Sequence, residues 1–352
     1  MISSSRPSRA RSRRAAPALS LVVLLLATAC GGGGDKDDSV TPPPPPPEET
    51  TTTLPPVSPL TGLSLTDATK LNRPALAVKV DNAPAARPQS GLDVADVVFE
   101  EIVEGGATRF LAIFHSTDAD LVGPVRSVRP SDPDILAPFG ALFAYSGGTP
   151  KFIDQLRSTA GVTDAGVDKF GEGDVYVRRS GRSAPNNLYA STAKVYAKAQ
   201  AGTQAPGRFA EFLPTGQPFA PAGATPAVGV TAAVGTTSAV FDYDPATSTY
   251  RRSGLVEGSG LAAPTTVIIQ FTTYQPSLGD VDTTGAQVEK AVTVGAGDVL
   301  ILSGGMAVRG KWSKPLAGAY TTYTDASGAP IKFLPGRTWI ELARPGAAAT
   351  TR

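Results

Sequence analysis

The sequence predicts an α+β protein: a mixed α/β first domain with a helix-covered sheet, followed by a smaller, mostly-β domain. Three observations carry this. Strand-like runs between residues 75 and 115 are apolar on both faces, so the sheet needs cover on both sides, and helices are the expected cover. Helix-start signals follow those strands, at Ser131-Asp132-Pro133, Pro150 and Ser191-Thr192. Beyond residue 231, short β-rich runs recur with turn signals between them.

Taken in order, residues 1–29 read as an export signal. Arg6, Arg9, Arg11, Arg13 and Arg14 form a basic start, residues 19–27 an apolar run, and Ala27-Thr28-Ala29 a small-residue cleavage site. The run is far shorter than the roughly 20 residues a spanning helix needs. Cys30, the only cysteine, sits at the cleavage position. It reads as a lipobox cysteine, carrying acyl chains such as palmitate as the new N-terminus, although Ala27 stands where leucine is commoner. Such an anchor holds a chain on the extracytoplasmic face of the cell membrane without spanning it. Cleavage removes five arginines and leaves 27 basic against 31 acidic residues, with no basic patch suited to nucleic acid. Residues 30–56 then form a tether of glycines, charges and the proline run 42–47, an extended spacer that cannot bury a core.

The first domain spans residues 57–200. Its strands are 75–81, 96–104, 110–115 and 141–145. Along the second, Val97, Phe99, Glu101 and Val103 share one face, and Val98, Glu100, Ile102 and Glu104 share the other. Ser131 or Asp132 is the expected cap of a helix over 133–139. Pro150 opens a second helix, and Ser191 or Thr192 caps the last. Residues 201–231, rich in Ala, Gly, Pro and Thr, read as a linker. The β-rich domain, 232–344, carries strands near 239–243, 249–252, 265–274, 288–294, 299–303, 306–312 and 337–342. Trp312 and Trp339, beside cations, read as core or cation–π residues rather than sugar platforms. With no cysteine beyond Cys30, both domains depend on apolar burial.

Several chemistries are excluded. A lipid-blocked Cys30 is no thiol nucleophile. One histidine, His115, cannot make a two-histidine metal site and reads as a half-exposed structural residue at a strand end. No Gly-x-Ser-x-Gly elbow, phosphate loop or dinucleotide fingerprint is present. An acid–arginine constellation remains. Asp81, Glu100, Glu101 and Glu104 offer oxygen ligands for Mg²⁺ or Ca²⁺, or an acid–base pair for a glycosidic bond. Arg87, Arg109, Arg126 and Arg129 suit a phosphate or carboxylate. Arg126 and Arg129, three apart, are expected to converge only on a helical turn. The bland alternative is a buried salt-bridge network that fixes loops above the sheet.

The order Val80-Asp81-Asn82, Arg87-Pro88-Gln89-Ser90-Gly91, Ala95-Asp96-Val97-Val98-Phe99-Glu100, Gly105-Gly106-Ala107-Thr108-Arg109 and Gly123-Pro124-Val125-Arg126-Ser127-Val128-Arg129 resembles the DUF3048 family of YerB-type bacterial lipoproteins. So do Tyr145-Ser146-Gly147-Gly148, Asn187-Leu188-Tyr189, Gly310-Lys311-Trp312 and Pro335-Gly336-Arg337-Thr338-Trp339. The resemblance implies an exported lipoprotein with an α/β first domain and a β-rich second one. It supplies no reaction. Some members carry histidine near the positions of Ser146 and Asn186, and this chain has none there. The candidate ligand-binding residues are Asp81, Asn82, Arg87, Glu100, Glu104, Thr108, Arg109, Arg126, Arg129, Ser146 and Asn187. The leading expectation is a membrane-anchored protein that binds an anionic or sugar-containing envelope component, such as a cell-wall polymer. The alternatives are a metal- or carboxylate-dependent hydrolase or transferase on such polymers, and a scaffold that docks an envelope protein.

Overall fold

A computed structural model describes residues 55–199, 204–253, 263–282 and 285–352. The expected signal segment, Cys30 and nearly all of the tether lie outside the described residues. The first half carries β1 (Leu76–Asp81), β2 (Val97–Ile102), β3 (Thr108–Phe114), β4 (Leu142–Ala144), β5 (Thr163–Asp164), β6 (Tyr176–Arg178) and β7 (Leu188–Ala190). Its helices are α1 (Asp132–Leu136), α2 (Pro150–Ser158), α3 (Val167–Phe170) and α4 (Thr192–Lys198). The second half is built from β8 (Thr225–Pro226), β9 (Gly229–Val234), β10 (Thr237–Asp244), β11 (Thr249–Arg252), β12 (Thr266–Phe271) and β13 (Tyr274–Val281). It continues with β14 (Gln287–Ala291), β15 (Gly295–Ser303), β16 (Met306–Lys314), β17 (Thr322–Asp325), β18 (Thr338–Ala343) and β19 (Ala349–Thr351).

One sheet runs through both halves in the order β17-β16-β15-β12-β18-β2-β3-β1-β4-β5, and β8 adds to β16. The seam is the parallel pair β18–β2, from Thr338 opposite Val97 to Glu341 opposite Glu100. A second sheet, β11-β10-β9-β19, stands apart from it. β1, β2 and β3 are buried along their whole length, as their two-sided apolar pattern requires.

The covers of the two faces differ. Phe99, Leu111, Ile268 and Ile340 pack on one side with Ile135, Phe139, Phe152 and Leu156, the helical cover the sequence predicts. Phe209 and Phe219 join them, so part of the Ala/Gly/Pro-rich stretch expected as a linker lies in the core. On the other side Val98, Phe110, Val267 and Trp339 meet Val230, Ala232, Phe241 and Tyr250, so the second sheet rather than a helix covers much of this face. That cover works because β9 turns alternate residues inward. β9 itself begins within the stretch expected as a linker, and β19 lies beyond the strands the sequence suggested. The predicted strand 265–274 breaks after Phe271, where β13 begins a separate hairpin with β14. Both tryptophans are core: Trp312 Nε1 donates to the Phe271 carbonyl at 2.8 Å, and Trp339 Nε1 to Glu341 Oε1 at 3.0 Å.

Candidate functional site: a buried arginine cluster

In the central strands Asp81 and Glu101 both lie opposite Arg109, and Lys79 and Phe99 both lie opposite Leu111. Strand alternation therefore places Lys79, Asp81, Glu101 and Arg109 on one face, and Glu100 and Thr108 on the other. The single constellation read from the sequence is two sites, back to back.

On the first face, Lys79 is fully buried in an apolar strand, where a charge persists only if it is paired. Its ammonium meets Glu101 and, at 2.6 Å, Asp132 Oδ1. Asp132 is thus no helix cap; its other oxygen accepts the Arg129 backbone N–H at 2.7 Å. Ser131 holds the N-cap position of α1 but makes no side-chain cap bond; its hydroxyl accepts from the Ala291 backbone at 2.9 Å instead. Burial pushes the Asp132 carboxyl up to about 6, against the opposing pull of Lys79.

Three guanidiniums converge beside this group. Arg126 Nε lies 3.0 Å from Asp81 Oδ2, and Arg129 pairs with Glu104. Arg109 Nη1 donates to the Ser127 carbonyl at 3.1 Å. Yet among the described residues no carboxylate oxygen comes within 4.0 Å of Arg109, although this residue is only 7 % exposed. Burial first, and then Arg129 and Arg126, hold Arg109 down to about 10, with Glu104 and Asp81 opposing. Side-chain exposure is 11 % at Arg129 and 23 % at Arg126, so the cluster runs from a buried floor to an open rim.

The helical turn expected to bring Arg126 and Arg129 together is absent. The chain there is extended and irregular, tied by the Arg126 N–H to Lys79 O at 2.9 Å and by the Val128 N–H to Gly147 O at 3.0 Å. Val125 and Val128 are buried, while Arg126 and Arg129, each following one of them, are half-buried and reach Asp81 and Glu104. Glu104 also departs from its predicted face. β2 ends at Ile102, and Glu104 opens a tight turn with Gly105 at φ 64°, which swings it to Arg129.

On the opposite face, Glu100 accepts from Asn82 Nδ2 at 2.9 Å, Thr108 Oγ1 at 2.7 Å and Arg252 Nη2 at 2.8 Å. Arg87 Nε donates to Asn82 Oδ1 at 3.2 Å and so belongs to this set. Glu341 stands beside Glu100 across the seam. Burial, then the Glu100 charge, raises Glu341 well above the carboxylate range, so it carries a proton. Burial pushes Glu100 up as well, but Arg252 and the hydrogen bonds outweigh this and hold it ionised.

Of the remaining candidates, Ser146 borders the cluster, its N–H donating to the Arg126 carbonyl at 3.0 Å. Asn187 instead accepts from Arg178 at 3.0 Å on the β6–β7 hairpin. His115 is fully buried rather than half-exposed, and burial first, then Arg73, holds it down to about 4, leaving it neutral. The carboxylates do not fit a Mg²⁺ or Ca²⁺ site: Asp81 faces Arg126, Glu104 faces Arg129, Glu101 faces Lys79 and Glu100 faces Arg252.

Residues 60–205 match the N-terminal domain, and residues 230–340 the C-terminal domain, of the family described as "Protein of unknown function (DUF3048)". The chain belongs to the DUF3048 family. This DUF3048 protein is 31 % identical over 290 residues to "Putative lipoprotein YerB" of Bacillus subtilis strain 168, covering 81 % of this chain and 85 % of that one. The crystal structure of YerB from Bacillus subtilis superposes with a TM-score of 0.69 at 27 % identity, over 84 % of this chain and 99 % of that one. No helix among the described residues is long and apolar enough to cross a membrane. Both DUF3048 segments contribute to the buried charge system, because Arg252 comes from the second and meets Glu100 from the first.

Lys79, Asp132, Arg252 and Glu341 are absent from the candidate set read from the sequence. Lys79 had a local signal, a lone charge inside the run Leu76-Ala77-Val78-Lys79-Val80. Arg252 and Glu341 had none.

Proposed function

We propose that this chain is a lipoprotein anchored through Cys30 on the extracytoplasmic face of the membrane, and that it binds an anionic component of the cell envelope at Arg109, Arg126 and Arg129. The anchor is supported by the signal and lipobox pattern and by the printed name of the Bacillus subtilis relative. One observation carries the binding reading. Among the described residues Arg109 is a buried guanidinium without a carboxylate partner, beside two further arginines, and a bound anion supplies the missing charge.

The test is binding of the purified chain to purified cell-wall sacculi. Arg126→Gln with Arg129→Gln is expected to weaken it by tenfold or more, since each charge-assisted hydrogen bond contributes roughly 1.5–3 kcal/mol. Arg309→Gln, at an exposed arginine on β16, leaves it unchanged. Wild-type binding by the double variant, with its fold intact, removes the proposal.

A second reading, a scaffold that docks an envelope protein, is favoured by the β13–β14 hairpin, which exposes Leu278 at 81 % and Val281 at 56 %. Sacculus binding lost with Leu278→Ser but kept in the arginine variant supports it.

A further inference from the structure

Resting on the anion-binding reading, we infer that the cluster takes a phosphate monoester, the terminal phosphate of a sugar or lipid headgroup, presented end-on.

Three features of the site carry this. The first is the number of donors. One guanidinium fork matches the two oxygens of a planar carboxylate, which has no third oxygen for a third guanidinium. A tetrahedral phosphate offers an oxygen to each.

The second is charge. Arg126 and Arg129 each keep a carboxylate, Asp81 and Glu104, and Arg109 keeps none. Glu101, its cross-strand neighbour, is committed to Lys79. Arg126 meets Asp81 through Nε, and among the described residues its terminal nitrogens donate to no protein acceptor. They are free to meet an incoming oxygen at the rim.

The third is depth. Arg109 is buried, whereas the Arg126 side chain remains 23 % exposed and open to solvent. A group at a chain end can enter such a site head first. An internal phosphodiester has only two free oxygens and must continue on both sides, which calls for an open groove instead.

Titration calorimetry on the purified full chain, with Arg126→Gln and Arg309→Gln alongside, tests the assignment. The soluble probes are glucose 1-phosphate, inorganic phosphate, glycerophosphocholine as the diester and glucuronate as the carboxylate. Phosphatidylcholine vesicles doped with phosphatidic acid present the same monoester on a lipid. The expected result is one-to-one binding of glucose 1-phosphate, at least tenfold tighter than the diester or glucuronate. It weakens about tenfold or more in Arg126→Gln and is unchanged in Arg309→Gln. Doped-vesicle binding tighter than glucose 1-phosphate binding, with the same Arg126 dependence, assigns the monoester to a lipid; the reverse order assigns it to a soluble sugar phosphate. Glucuronate or diester binding equal to or tighter than the monoester, still dependent on Arg126, overturns the monoester and leaves the anion site standing. Binding of no probe overturns both.

Discussion

His115 and Asp132 are buried titratable residues whose effects on stability oppose each other. His115 has a folded value near 4 against an ordinary 6.5. Between those values the unfolded chain binds a proton that the native one does not, so stability falls as pH falls through this window, by about 3 kcal/mol. Asp132 is raised from 3.8 to about 6, so the native chain holds the extra proton and stability rises as pH falls through that range. His115→Leu is expected to remove the first contribution. Urea midpoints followed from pH 7 to about 4 should then show the variant gaining stability on acidification relative to the wild type. Parallel profiles for the two would contradict this. Residue types did not reveal such roles. Asp132 has the sequence of a helix cap, and only the fold shows that Lys79 claims it.

Among the elements, the β2–β18 seam brings two carboxyl groups together, and they differ in protonation. Glu341 is held protonated and Glu100 ionised beside Arg252. Glu341→Gln therefore replaces one neutral group by another and is expected to change stability by less than about 1 kcal/mol. Glu100→Gln leaves Arg252 buried without its ionised partner and should cost about 3–5 kcal/mol. Equilibrium unfolding of both variants measures this, and equal losses would overturn the assignment of protons. The elements themselves were largely legible, because the two-sided apolar pattern along 97–102 and the proline that opens the helix at Pro150 are local patterns. Less legible were the turn that moves Glu104 to the other face and the irregular extended segment that carries Arg126 and Arg129. Neither follows the periods of two or 3.6 by which strands and helices are read. The partnership of Glu100 with Arg252 joins positions 152 residues apart and left no local trace.

At the scale of the molecule, the described residues form one compact unit, and a single sheet crosses both DUF3048 segments. Composition suggested a boundary near 201–231, but Phe209 and Phe219 from that stretch pack with Phe99 and Phe139 of the first half. Since core, sheet and buried charges are all shared, the two segments are expected to unfold in one transition. Calorimetric and van't Hoff enthalpies should then agree, whereas two resolved transitions would mean the seam is weaker than its packing implies.

If Arg109 is kept for a ligand and not for the fold, replacing it with an apolar side chain of similar length, Arg109→Met, removes binding and spares stability. Thermal and urea unfolding would be compared for wild type and variant, without and with inorganic phosphate. The variant is expected to be as stable as the wild type, or up to about 1–4 kcal/mol more stable, in anion-free buffer, because an uncompensated buried charge has been removed. Phosphate is expected to raise the wild-type midpoint, by about 2.7 kcal/mol of stability at a hundredfold excess over its dissociation constant, and to leave the variant unmoved. A variant that loses about 3–5 kcal/mol without any anion, as a broken buried ion pair does, would contradict this and make the arginine cluster a structural network.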